Sequence, residues 1–297
     1  MPPEGDGRPT DPRGTDPHPG NVPGAWFVDE RCIDCDAVRQ IAPDLFDRVD
    51  RQSVVSRQPD TPEDEERMWR AALACPTNSV RRSPPLPRPR DLYPHEFAGD
   101  VWYCGHNSPD SYGANAFLAV RPEGNVLVDS PRFVRPLVER IEAMGGIDHV
   151  LLTHRDDVAD ADRFAERFGA RVWIHREDAD AAPFATDVVD GQDPVVVQPG
   201  LQLIPCAGHT RGSVLFLLDD RFLFTGDSLY WSRTHQDLAV HVRQTWYSLE
   251  VQRDSLARVA REHRFSAVLA GHGSRHETTV DDMHRRLVAL VDRLGAP

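Results

Sequence analysis

Four separate segments carry an apolar run that ends in a side chain able to bind a metal ion. They are Leu151-Leu152-Thr153-His154, Cys206-Ala207-Gly208-His209, Leu223-Phe224-Thr225-Gly226-Asp227 and Val268-Leu269-Ala270-Gly271-His272. Two imidazoles and a carboxylate suit Zn2+ or Fe2+, and a third imidazole leaves room for a second ion. Glycine or another small residue beside the ligand lets the backbone turn and a substrate come close. A lone histidine at a strand end is more often structural, and His18, His95, His149, His175, His263, His276 and His284 are read that way. Four ligand-tipped runs in succession are read as one metal-site framework, because strand ends on one sheet edge converge in space.

The elements that must position these ligands can be read from hydrophobic periodicity. Strands are expected at 101–104, 114–120, 125–129, 149–152, 171–174, 201–205, 213–218, 222–225 and 267–270. Helices are expected at about 132–144, 160–168, 248–262 and 279–294, the last with Val280, Met283, Leu287, Leu290 and Leu294 on one stripe. The pattern is β-rich at first and then alternates, which two sheets with helices outside would accommodate. Upstream, residues 1–24 are rich in proline and glycine and are expected to form a disordered tail. A small module follows at 25–82, then a proline-rich linker at 83–90, then a large module at 91–297.

The chain has 297 residues and a formal net charge of -13, and its basic residues are all arginine. So acidic a chain is a poor partner for nucleic acid or an anionic membrane surface. No apolar run reaches the roughly 20 residues of a membrane span, and the N-terminus lacks the pattern of a secretory signal. Five cysteines, an odd number without a signal, point to a reducing cytoplasm in which thiols serve metal binding or packing. Cys104 and Cys206 are read as buried strand residues, although Cys206 lies close to His209 in sequence.

The segments Thr153-His154-Arg155-Asp156-Asp157, Gly208-His209-Thr210-Arg211-Gly212-Ser213, Leu223-Phe224-Thr225-Gly226-Asp227-Ser228 and Leu269-Ala270-Gly271-His272-Gly273 resemble the successive metal motifs of the metallo-β-lactamase superfamily. That resemblance covers roughly residues 91–297 and implies an αββα sandwich. It also implies a metal-bound water or hydroxide that attacks an ester, thioester, amide or phosphoester of a small molecule. The first motif departs from the family's H-x-H-x-D-H. His154 is kept and Asp156 replaces the second histidine. The Asp-His pair becomes Val158-Ala159 or, with a longer loop, Asp160-Ala161. Asp156 can still bind metal, and Asp160 either binds metal or caps the helix that follows. The expected ligands are therefore His154, Asp156, Asp160, His209, Asp227 and His272, with Asp156 and Asp227 catalytic and one ion favoured over two. Asp129 resembles a superfamily residue that orients a ligand histidine. Arg211, His106 and Tyr247 are candidates for substrate binding, with Arg211 either an anion anchor or an ion-pair member. Tyr112, Trp246 and Ser248 are weaker candidates, for which packing or capping is favoured over catalysis.

In the small module, Cys32-Ile33-Asp34-Cys35-Asp36-Ala37-Val38 and Cys75-Pro76 resemble a single-cluster bacterial ferredoxin, except that Val38 stands where the third cysteine belongs. The resemblance implies a small α+β ferredoxin-like domain. Either a 4Fe–4S cluster is held by Cys32, Cys35 and Cys75, with one iron on Asp or water or the cluster labile, or the fold survives without iron; zinc is a minor third option, since no histidine lies near to complete four ligands.

The whole chain is thus expected to be a metal-dependent hydrolase of the α/β (α+β) class, acting on a small molecule. Two other functions stay open. One is a mononuclear iron oxidoreductase or dioxygenase fed by the ferredoxin-like domain and served by a redox partner. The other is a catalytically degenerate binding protein.

Overall fold

The computed structural model describes residues 15–295. It divides into two compact units, Met1–Pro89 and Arg90–Pro297. Among the described residues, no helix is long and apolar enough to cross a membrane.

In the first unit, β1 (Trp26–Val28), α1 (Ala37–Ile41), β2 (Phe46–Val49), β3 (Gln52–Val55), α2 (Pro62–Ala74) and β4 (Val80–Arg82) follow in order. β1 pairs antiparallel with β4, and β2 with β3. The β2–β3 turn places Asp50 and Arg51 at positive φ, as a two-residue hairpin of this twist requires. Thr61 caps α2 by accepting the Asp64 N–H at 3.1 Å, and Pro62 sits in the first turn where no N–H is needed. Trp26, Val28, Val38, Leu45, Phe46, Met68 and Ala71 close the core. The expected disordered tail falls partly outside the described residues. Residues 15–24 are ordered, contrary to that expectation. Pro17 bridges to Asp29, and the Asn21 carboxamide accepts the N–H groups of Val28 (3.0 Å) and Val55 (2.9 Å) while donating to the Val28 carbonyl (2.8 Å). One polar side chain that satisfies backbone groups of two strands does what apolar burial would otherwise do. Residues 83–90 carry neither strand nor helix.

The second unit is built on two large sheets. The first contains β5 (His95–Ala98), β6 (Val101–Tyr103), β7 (Phe117–Ala119), β8 (Val126–Val128), β9 (His149–Leu151), β10 (Arg171–His175) and β11 (Asp187–Val189), in the spatial order β11-β10-β9-β8-β7-β6-β5. Between them run α3 (Arg135–Ala143) and α4 (Ala161–Phe168). The second contains β12 (Val195–Gln198), β13 (Leu201–Pro205), β14 (Val214–Leu218), β15 (Phe222–Gly226), β18 (Ala267–Ala270) and β19 (His276–Glu277), neighbours in that order. A separate ribbon, β16 (Tyr230–Ser232) and β17 (Asp237–Ala239), precedes α5 (Leu249–Glu262), and α6 (Val280–Gly295) closes the chain. The layers follow from strand alternation. Ile204, Leu215, Leu217, Leu223 and Val268 point to α5 and α6, where Leu256, Val259, Met283, Leu287 and Leu290 meet them. The opposite face turns inward, and Phe224 meets Phe117 of the first sheet with ring centroids 5.7 Å apart. Because both faces are covered, β14 and β15 are buried along their whole length. This is the expected helix–sheet–sheet–helix sandwich.

Strand direction explains why the ligands meet. β13 and β15 are both antiparallel to β14, so they run the same way and end at one edge. β18 is parallel to β15, with Gly226 opposite Ala270. His209, Asp227 and His272 therefore leave the sheet from the same side. β9 joins them from the first sheet, where the Thr153 carbonyl accepts the Val214 N–H at 2.8 Å.

The helices begin close to their expected positions with one exception. α3 starts at Arg135 and not near 132, because Pro136 lacks the N–H that would bond the Arg132 carbonyl and its ring would strike it. Ser248 caps α5, accepting the Val251 N–H at 3.2 Å. Ser248→Ala should lower unfolding stability by about 1 kcal/mol. Leu256→Ala, in the core under the same helix, should lower it by about 2–5 kcal/mol. Urea titration of both variants checks the ranking.

Candidate metal centre

The ligand side chains converge around Asp227. Its Oδ2 lies 3.9 Å from His154 Nε2 and 3.8 Å from His209 Nε2. On the other side its Oδ1 lies 2.9 Å from His272 Nδ1 and accepts the His272 backbone N–H at 3.1 Å. Two groups of donors share this carboxylate: His154, His209 and Asp227, and Asp157, Asp227 and His272, each close enough for one ion. Burial penalises the Asp227 charge, but His272, His154 and His209 together hold its pKa far below the carboxylate range. Burial pushes His154 down to about 4, so its imidazole is neutral and able to bind a cation. Burial acts the same way on His272, but Asp227 outweighs it and raises that pKa to about 10.

Asp157 is the ligand-type residue that sequence reading missed, and Asp160, left open between ligand and cap, lies outside both donor groups and makes no side-chain cap bond. Residues Arg155–Asp157 form a single 3-10 turn with His154 at its N-cap. In such a turn, side chains three apart eclipse. That stacks Asp157 under His154, with Oδ2 3.9 Å from His154 Nδ1, and leaves Asp156 pointing elsewhere. Asp157 is 1% exposed and neither carboxylate oxygen has a hydrogen-bond partner. Burial and Asp227 push its pKa well up. Asp160 instead accepts the Phe133 N–H at 2.7 Å and pairs with Arg163, so it ties down the loop before α4 and is no ligand. The chemical cue for Asp157 was present in the sequence, but the turn that aims it inward was not.

Asp156 takes the expected place of a second histidine. Its Oδ2 lies 3.5 Å from His209 Nε2 and 3.9 Å from His154 Nε2, and accepts the indole N–H of Trp246 at 3.1 Å. The neighbouring His209 lowers its pKa. Asp129 acts one residue away from where it was expected. Its carboxylate accepts the Thr153 N–H at 2.8 Å and the Thr153 hydroxyl, and that hydroxyl lies 3.0 Å from His154 Nδ1. The hydroxyl proton is committed to Asp129, so its oxygen accepts Nδ1–H and leaves His154 Nε2 bare for a cation. Gly226, at φ 46°, lets this layer close, because a Cβ there would collide with the Thr153 hydroxyl.

A second carboxylate sews the two ligand loops together. Asp178 is buried and accepts the Arg155 N–H (3.1 Å), the Thr210 hydroxyl (2.5 Å) and the Gly212 N–H (3.2 Å). Nothing in its sequence neighbourhood distinguished it. His241 was missed too; it stacks on Tyr230 and its Nε2 lies 3.3 Å from the His272 carbonyl.

A pocket of about 530 Å3 opens beside Asp156, lined also by Arg155, Asp178, Thr210, Arg211, Trp246 and Tyr247. Arg211 lies over the Tyr247 ring, 4.8 Å from its centroid. His106, the remaining candidate for substrate binding, is not among the lining residues. Its buried ring packs edge-on against Tyr93, with centroids 5.6 Å apart. Tyr112 sits nearer, its ring centroid 6.3 Å from that of His272. Ser248 is a helix cap, as described. Cys104 and Cys206 are buried, and Cys206 packs in the hydrophobic core outside both donor groups, where burial pushes its thiol up to about 12.

The residues fit a divalent cation. His154 Nε2, both ring nitrogens of His209 and both oxygens of Asp157 are buried without a hydrogen-bond partner. Stranding a buried polar atom costs about 1–3 kcal/mol, and a cation beside Asp227 would relieve that cost for the His154 and His209 nitrogens that face it, as one in the second group would for Asp157. In the first unit, the three cysteine sulfurs are likewise furnished with donors. Cys32 Sγ accepts the Ser53 N–H (3.3 Å), Cys75 Sγ the Ser79 N–H (3.2 Å), and Cys35 the Ala37 N–H. Burial, with Cys75 and Cys32 nearby, pushes the Cys35 thiol up to about 12.

Asp157→Ala and Asp178→Asn should each weaken divalent-metal binding by about 10–100-fold, while Asp160→Ala leaves it unchanged. Calorimetric titration with Zn2+ reads all three; equal affinity in Asp157→Ala and Asp160→Ala would reverse the assignment.

Comparison with known proteins agrees with this geometry. Residues 99–294 match the family described as the metallo-beta-lactamase superfamily, and residues 28–82 match the 4Fe-4S single cluster domain of ferredoxin I. A hydroxyacylglutathione hydrolase of Acidiphilium cryptum (strain JF-5) is 34% identical over 119 residues, covering 39% of this chain. The chain spans about half, 49%, of that relative's length. Among solved structures, the metallo-beta-lactamase FIM-1 of Pseudomonas aeruginosa in its mono-zinc form superposes with a TM-score of 0.51 at 17% identity, covering 68% of this chain and 95% of that one. The metallo-beta-lactamase DIM-1 gives 0.51 at 14% identity, covering 67% and 96%. With two thirds of its length matched to that family and its ligand-tipped strands meeting at one edge, the chain belongs to the metallo-β-lactamase superfamily.

Proposed function

We propose that the protein is a metal-dependent hydrolase of a small thioester or ester, with His154, His209, Asp227 and Asp156 around the principal ion and Asp157 and His272 behind it. The observation that carries this reading is the set of unpartnered imidazole nitrogens facing Asp227, next to Asp156, which lines the open pocket. A Zn2+ or Fe2+ ion bound there supplies a Lewis acid that makes water nucleophilic near neutral pH. The remaining work falls to the chain. Thr153, backed by Asp129, holds the proton of His154 on Nδ1. Asp156 Oδ2 faces the pocket with its charge maintained by His209 and can accept a proton there. Arg211, spread over Tyr247, can pair with a carboxylate on the substrate, and Trp246 forms a wall for its apolar part. The likeness to a hydroxyacylglutathione hydrolase supports a thioester over the other acyl groups.

Cys32, Cys35 and Cys75, each with an N–H donor on its sulfur, support an iron–sulfur cluster in the first unit. The set of His154, His209 and Asp227 also satisfies the two-histidine, one-carboxylate pattern of mononuclear iron oxygenases, which supports oxidative chemistry as the second reading.

Metal-loaded protein should hydrolyse a hydroxyacylglutathione thioester, and His209→Ala should reduce kcat/KM at least about 100-fold together with metal content. Arg211→Ala should raise KM and leave kcat near its original value. Iron-loaded protein that consumes O2 but releases no thiol from the thioester would favour the second reading. Turnover unaffected by His209→Ala would remove the first.

A further inference from the structure

The cysteine site of the first unit has three thiols where the matched family has four, and the structure shows what occupies the rest of the space. Val38, in the position of the missing cysteine, is 4% exposed and belongs to the core with Ala42, Leu45, Phe46 and Cys75. The two carboxylates that flank Cys35 are both engaged. Asp34 accepts Arg39 Nη2 at 3.0 Å and Arg48 Nε at 3.0 Å from each of its oxygens. Asp36 accepts Arg39 Nε at 2.7 Å. Arg39 is itself buried and fixed by a third bond, from Nη1 to the Ser53 hydroxyl at 2.6 Å. The Ser53 N–H is the group that donates to Cys32 Sγ, so one arginine locks the cysteine loop to β3 and draws both acids away from ligand duty.

We propose that this unit holds an iron–sulfur cluster through Cys32, Cys35 and Cys75 alone, with the corner facing Val38 left without a protein ligand and neither Asp34 nor Asp36 replacing it. The inference rests on the cluster reading above and goes beyond it, because the usual substitute for an absent thiolate, a neighbouring carboxylate, is already spoken for by Arg39 and Arg48. An iron at that corner is held only by the cluster's sulfides and by solvent, so it is the one that exchanges.

The test uses the full chain, reconstituted anaerobically with ferrous iron and inorganic sulfide, then exposed to a ferrous chelator without oxidant. In the wild type, one iron of four should leave as Fe2+ in a distinct fast phase, with sulfide content unchanged and the three thiolate bonds intact. In Val38→Cys that phase should vanish. In Asp34→Asn and Asp36→Asn it should persist at the wild-type rate. A single slow phase in the wild type overturns the proposal, as does faster iron loss in either asparagine variant, since that would identify the fourth ligand as an aspartate. The wild-type and asparagine results decide the matter even if Val38→Cys fails to fold. Absence of any cluster in wild type and Val38→Cys alike would overturn the cluster reading itself, a result distinct from a cluster with four equivalent irons.

Discussion

A buried carboxylate surrounded by imidazoles is the constraint on which the second unit depends. Asp227 sits at the end of β15 with only 11% of its side chain exposed, and removing its partners would strand its charge. His272 pairs with it directly, whereas His154 and His209 stand just beyond hydrogen-bond range with bare nitrogens. The spacing is that of groups waiting for a common positive centre. Everything around it serves to keep the groups from collapsing onto one another: Asp129 and Thr153 fix one ring, Asp178 holds two loops at a set separation, and the parallel pairing of β15 with β18 fixes the distance between Asp227 and His272.

The strands and their ligand tips were legible in the sequence because they obey simple rules. An apolar run ends, a glycine or threonine allows the turn, and a ligand follows. Four such runs in one direction must deliver their ends to one edge. What stayed hidden depends on orientation that residue order does not carry. Asp156, Asp157 and Asp160 have the same chemistry; the 3-10 turn decides that Asp156 faces the pocket and Asp157 the interior, and the Phe133 N–H holds Asp160 at the start of α4. Asp178 lies among other acids in Arg176-Glu177-Asp178-Ala179-Asp180, and its role rests on a backbone that arrives from more than thirty residues away at Gly212. The short ribbons β16–β17 and β19 were unread because two or three residues give no period. The order of residues 15–24 was missed for a related reason: Asn21 holds that segment with hydrogen bonds, and composition registers only apolar content.

The first unit shows how a motif can lose one member and keep its frame. Its core is closed, α2 is capped by Thr61, and the sulfurs have backbone donors. Val38 is part of the hydrophobic cluster, an aliphatic side chain packed with Ala42, Leu45 and Phe46. Arg39, one residue later, is as deeply held as the core around it and joins Asp34, Asp36 and Ser53 into one rigid knot.

The indole of Trp246 is 65% exposed, yet it is tethered to the carboxylate nearest the His154 and His209 nitrogens, and its ring centroid lies 6.2 Å from that of His209. A guest that draws Asp156 inward must loosen this tether, and one that fills the mouth must slide against the indole. The fluorophore is thus coupled to the pocket through its indole N–H as well as its ring, and its emission would register arrival of cargo at the entrance before any chemistry had begun.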